Sequence, residues 1–195
     1  MRTKGGLLSV TNREKRIENL QRSNEESHRL IVDSLRQALY TMLKTRDIDS
    51  IKVVDLVKAA GVSRGGFYRN FYLVTDVLKD DIRVIADDVR RVSGADVSAN
   101  WQIILNTVYR HREKIPLLLK AGMGMEILRQ INRSIDGVNE EYRLRLTAWN
   151  GVIFNCILWW AERNFADDPE ALSRQLTEIT EPLLTVQHTA FPSGE

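Results

Sequence analysis

Apolar residues recur along most of this chain at intervals of three and four, the spacing that lines one face of an α-helix. No stretch alternates convincingly enough to predict a strand. Ser23-Asn24-Glu25-Glu26 has the spacing of a capping box. Beyond it Ile31, Leu35, Ala38, Leu39 and Met42 form one stripe, which predicts a first helix to about Thr45. Val53, Leu56, Val57 and Ala60 give the inner face of a second helix over 52–60. Gly61 ends it, because glycine accepts the left-handed conformation that follows a helix. Ser63 then caps a third, very short helix through Arg69 or Asn70. Helix, tight glycine turn, helix is the spacing of a helix-turn-helix.

A long helix is expected from Thr75 to Val92, with a break at Ser93-Gly94-Ala95-Asp96. Further helices are expected over 100–114, 116–120, 125–135 and 139–164, loosened by Gly122 and Gly124 and broken by Gly137. Pro169 stands at a first helical position and starts a last helix to about Val186. The expected fold is all-α, with an N-terminal three-helix helix-turn-helix head followed by a helical body. In domain terms, residues 1–22 form a mobile basic arm with room for a short helix after Thr11. Residues 23–74 form the helix-turn-helix head, 75–187 the helical body, and 188–195 a disordered tail.

Composition sharpens this picture. Hydrophobic residues at 43% beside 28% charged residues exclude a disordered chain. The net charge of +2 conceals an uneven distribution: residues 1–74 carry +6 and residues 75–195 carry −4. A basic first third suggests an anion-binding head on a separate body. Cys156, the single cysteine, excludes an internal disulfide or a cysteine metal cluster and suits a reducing cytosol. The most apolar run, Leu146 to Ala161, contains Asn150 and Asn155 and falls short of the roughly 20 residues of a membrane span. With no secretory signal at the start, a soluble cytoplasmic protein with no membrane partner is expected.

The segment from Ile51 to Phe71 resembles the DNA-binding head of the tetracycline-repressor family of bacterial regulators. Ala60-Gly61-Val62-Ser63, the triplet Phe67-Tyr68-Arg69 and the closing Phe71 fall in register, and the resemblance covers about residues 28–78. The helix holding Trp149-Asn150-Gly151 and Trp159-Trp160 looks like that family's dimer-forming penultimate helix. The resemblance implies a helical effector and dimerisation body, so that 23–74 is a DNA-binding domain and 75–187 a ligand-binding and dimerisation domain. It also implies double-stranded operator DNA, an inverted repeat, as partner, and a phosphate contact from Tyr68. Two positions depart from the pattern: Val74 stands where the family usually has a phosphate-binding lysine, and Leu73 where it has a small polar cap. Lys52, where the family often has threonine, can restore a phosphate contact.

The chemistry of the motif agrees. Arg64 and Arg69 offer bidentate donors for guanine or phosphate oxygens, and Gly65 and Gly66 permit close approach of backbone to DNA. The DNA-contacting set read from the sequence is therefore Lys52, Ser63, Arg64, Gly65, Gly66, Tyr68, Arg69 and Asn70, with Phe67 and Phe71 facing inward.

Catalysis is not expected. Asp80, Asp81, Asp87 and Asp88 lie one or two helical turns apart but stand beside Arg83, Arg90 and Arg91, which favours ion pairing on a helix surface. His28, His111 and His188 are too scattered for a zinc site or a triad, and no phosphate-cradling glycine loop with lysine is present. No metal or cofactor is expected.

The helix over 139–164 is apolar on two sides and must be buried on both. A homodimer through the last two helices satisfies that, using Trp149, Gly151, Val152, Trp160, Leu172, Leu176, Ile179 and Leu183. Trp101, Met123, Met125, Phe154, Asn155 and Trp159 form a candidate effector pocket, with ordinary core packing as the alternative. The function expected is a sequence-specific, dimeric DNA-binding repressor released by an unidentified small-molecule effector. The alternative is an effector-independent helical dimer serving as a DNA-architectural or protein-interaction module.

Overall fold

The computed structural model describes residues 5–93, 101–137 and 139–185. Among these the regular structure is nine α-helices and two short 3-10 turns, with no strand, so the all-α expectation holds. The chain divides into two compact units, Met1–Val77 and Leu78–Glu195. The expected tail over 188–195, the loop after Ser93 and the basic residues Arg2 and Lys4 lie outside the described residues.

The first unit is built on α1 (Gly5–Leu43), a single helix of 39 residues. It passes through Ser23 without a break, so residues 5–22 are helical where the sequence reading placed a mobile arm. The physical reason is local. No glycine or proline interrupts residues 7–43, and Glu18→Arg22 and Glu25→Arg29 are i,i+4 pairs in the favourable direction. From residue 31 onward the apolar stripe finds a partner, and Leu35, Leu39 and Leu43 are fully buried.

After α1 the chain turns through the 3-10 segment Ile48–Ser50 into α2 (Val53–Ala60). Arg46 fixes this corner by donating to the Asp55 carboxylate at 3.4 Å and to the Ser50 carbonyl. α2 buries Leu56 and Val57 and packs on α1. Gly61 follows with φ of +65°, and its N–H donates back to the Lys58 carbonyl, which closes the helix. Ser63 then starts α3 (Arg64–Tyr68), which packs on α2 and α1.

α4 runs from Asp76 to Ser93 and thus begins in the last residues of the first unit. The second unit continues with α5 (Trp101–Arg110), α6 (Ile115–Lys120), α7 (Gly124–Asn132), α8 (Glu140–Glu162) and α9 (Pro169–Thr185). The helix expected over 100–114 ends at Arg110, and hydrogen-bonded turns over 111–114 lead into α6. Asp168 caps α9 by accepting the N–H of Ala171 at 2.9 Å, with Pro169 at its first position.

The core of the body is aromatic. Trp101 lies 5.3 Å from Trp149 and donates across to Thr180 on α9 at 2.9 Å. Trp160 stacks on Tyr109 at 5.7 Å and meets the edge of Phe165 at 4.9 Å. On α4 the acids meet cations as the sequence suggested: Asp80 pairs with Arg83, Asp87 with Arg90 and Asp88 with Arg91. Asp81 and Asp88 also reach beyond their own helix, to Lys114 at 2.8 Å and His111 at 3.0 Å.

Candidate nucleic-acid interface

α3 has only five residues, and its existence depends on its two ends. Ser63 holds an extended backbone, and its Oγ accepts the N–H of Gly66 at 3.0 Å. At the other end Asn70 donates its side-chain amide to the Gly66 carbonyl at 2.7 Å. Between them Phe67 is 0% exposed and anchors the helix, with the ring of Tyr68 edge-on at 5.3 Å and that of Phe71 at 5.8 Å.

The opposite side carries the polar chemistry. Arg64, Gly65, Tyr68 and Arg69 are exposed, Tyr68 by 58%. Lys52 is exposed immediately before α2, where its carbonyl accepts the first N–H bonds of that helix. Guanidinium groups and a phenol at a short capped helix, with an ammonium at the start of α2, are groups suited to phosphate and base edges.

The structure separates the remaining expected contacts. Gly65 is open, and a Cβ there would meet only the Ser63 Oγ at 4.0 Å. Gly66 is buried, and a Cβ there would lie 2.9 Å from Val62 Cγ1 and 3.3 Å from the Ser63 Oγ. Gly66 therefore serves packing against Val62 and α1, while Gly65 serves the exposed surface. Ser63 and Asn70 act first as the two caps of α3. Tyr72, 88% exposed after α3, adds a phenol that the sequence reading did not single out. An aromatic residue next to Phe71 gives no periodic sign of its direction.

Two further surfaces lie in the body. On α8, Leu144, Ala148, Gly151, Val152, Asn155 and Trp159 form an outward stripe, with Leu144 77% exposed. Leu176 and Ile179 of α9 continue it, while Leu172, expected on this surface, is buried at the floor of a groove that runs between the two helices past Cys156. Burial pushes the Cys156 thiol, which lines this groove, above its ordinary range. Trp149 and Trp160, expected on this surface, lie in the body's own core because they project from the other side of α8. The side chain of Leu183 lies outside the described ones.

The six expected pocket residues do not share one cavity. Trp101 is packed between Trp149 and Thr180, Met125 is 68% exposed, and Asn155 and Trp159 line the outer groove. Met123 is half-buried in the turn before α7. Phe154 alone of the six lines a narrow apolar cleft with Ile85, Ala86 and Val89 of α4 and residues of α6, α7 and α8.

No protein-family model matches the chain. Among curated proteins it is similar to the uncharacterized HTH-type transcriptional regulator YxbF of Bacillus subtilis (strain 168), at 23% identity over 165 residues, 74% of this chain. The match spans 43% of that relative's length. Among solved structures it is similar to the TetR family repressor AlkX from Dietzia sp. strain DQ12-45-1b, implicated in biodegradation of n-alkanes. The TM-score is 0.48 at 19% identity, over 80% of this chain and 96% of that one.

Proposed function

We propose that this chain is a dimeric, sequence-specific DNA-binding transcriptional regulator of the tetracycline-repressor type, a repressor released from its operator by a small molecule. The observation that carries this reading is the capped, Phe67-anchored α3. It holds Arg64, Gly65, Tyr68 and Arg69 toward solvent directly after the left-handed Gly61 turn. The description of the curated relative as an HTH-type transcriptional regulator supports the same reading.

In this reading Arg64 and Arg69 read base edges or grip phosphates, Tyr68 donates its hydroxyl to a phosphate oxygen, and Lys52 supplies a sequence-independent phosphate contact. The outward stripe of α8 and α9 is covered by a second copy, which places two heads on the two halves of an inverted repeat. α4 belongs to both units, beginning at Asp76 and lining a narrow apolar cleft of the body with Ile85 and Val89. An effector that prefers one arrangement of α4 shifts the population of DNA-competent dimers; one that binds both equally shifts nothing.

The test is fluorescence anisotropy on a duplex selected by the protein from the DNA upstream of its gene, against a scrambled duplex. Arg64→Ala is expected to lower operator affinity by about 1–3 kcal/mol. Lys52→Ala is expected to weaken both duplexes alike and to flatten the salt dependence. Equal affinity of the unaltered protein for both duplexes overturns the reading.

A further inference from the structure

We infer that the exposed stretch of α1, residues 14–30, is a second DNA-contacting element that grips the sugar–phosphate backbone of the duplex flanking the α3 site. This rests on the DNA-binding reading above and extends its surface.

α1 is far longer than the head needs. Its partly buried residues begin at Ile31, and residues 14–30 are exposed along their whole length. At 1.5 Å per residue this stretch extends about 25 Å past the packed part of the helix. Gly66 fixes where it leaves the head, since Ile31 Cδ1 lies 3.9 Å from the place of a Cβ on that glycine. Gly66 belongs to the first turn of α3, together with the exposed Arg64 and Gly65. The free length of α1 therefore starts beside the end of α3 that presents Arg64.

Charge is sorted around this length. Counting back from Ile31 at 3.6 residues per turn, Ser27, Asn24, Leu20, Ile17 and Arg16 share its side of the helix. No acidic residue of 14–30 falls on that half. Glu14, Glu18, Glu25 and Glu26 all lie on the other half, interleaved with Lys15, Arg22 and Arg29. Ionised carboxylates only accept hydrogen bonds and repel phosphate, and they are kept off the side that continues α3. That side offers a guanidinium, an amide and a hydroxyl, the groups that hold DNA phosphates. Leu20 and Ile17, 58% and 46% exposed, add apolar contact for the sugars. Pairing with the same stretch of a second copy is the competing use of this face, but Asn24 and Ser27 interrupt the apolar seam such a pair would bury.

The experiment measures anisotropy of the full chain on two duplexes with the same selected centre. One ends at the α3 half-sites. The other carries about eight further base pairs of arbitrary sequence on each side, enough for 25 Å of helix at 3.4 Å per base pair. The longer duplex is expected to bind about tenfold tighter at low salt, with a steeper salt dependence. Arg16→Glu is expected to remove most of this gain and Asn24→Lys to enlarge it. Arg22→Glu, from the opposite half, is expected to keep it, with the helicity of each variant checked by circular dichroism. Equal affinity of the unaltered chain for both duplexes, equal losses from Arg16→Glu and Arg22→Glu, or self-association of the chain that Asn24→Lys abolishes overturns the inference. Each duplex is also run with its centre scrambled. Loss of preference for the selected centre overturns the α3 reading, whereas preference retained without a gain from the flanks overturns the α1 contact alone.

Discussion

At the scale of single residues, the adjacent glycines of α3 have opposite surroundings and should respond oppositely to the same change. At Gly65 an added methyl meets only the Ser63 Oγ at 4.0 Å, so Gly65→Ala gains the helix propensity that glycine lacks, up to about 1 kcal/mol. At Gly66 the methyl falls 2.9 Å from Val62 Cγ1, a branched side chain with little freedom to retreat, and crowds the capping Ser63 Oγ. Gly66→Ala is expected to destabilise by about 1–3 kcal/mol, the usual cost of overpacking. Urea unfolding of the two variants checks this, and changes of the same sign would count against the packing described. Operator affinity adds a second readout: Gly65→Ala is expected to weaken it while raising stability, because its methyl stands on the exposed side with Arg64 and Tyr68.

At the scale of elements, α4 illustrates how the first residue of a helix can fix the chain that leads into it. The Asp76 carboxylate accepts the N–H of Leu73 at 2.8 Å and of Tyr72 at 3.1 Å, holding the turn between α3 and α4. A carboxylate in this first turn also faces the positive end of the helix dipole. Asp76→Ala is expected to cost about 1 kcal/mol, seen as a lower thermal midpoint, with Asp76→Asn recovering part of it. The departure at Leu73 was visible in the sequence but the contact from Asp76 was not, since a carboxylate reaching back three and four residues depends on backbone geometry. Where the signals are short-range, as at Gly61, Ser63 and Pro169, the expected elements and their limits were legible. They were misleading at Ser23, whose capping-box spacing lies inside a helix that continuous propensity and i,i+4 pairs carry through. The pocket was the least legible feature. Periodicity shows that a residue is apolar, but not which of two apolar sides of α8 it lies on. Phe154 therefore lines the cleft while Asn155 and Trp159 turned to the outer groove.

At the scale of the whole molecule, dimerisation is the property with the cleanest test. A Cβ at Gly151 meets nothing within 4 Å in the single chain. A large side chain there burdens the subunit's own packing little and obstructs a partner's approach. Gly151→Arg is expected to give a folded monomer by sedimentation velocity, with unchanged helicity and much weaker operator binding. An intact dimer in that variant would place the interface elsewhere.

The aromatic core of the body has an optical consequence. All four tryptophans, Trp101, Trp149, Trp159 and Trp160, belong to the second unit, whereas the first unit carries its aromatic absorbance in tyrosine and phenylalanine. Tryptophan emission excited at its red edge is therefore blind to the head. Melting the protein while recording emission and far-ultraviolet ellipticity together separates the two units without any label. Coincident curves mean that they unfold as one, and ellipticity lost ahead of emission dates the opening of the head.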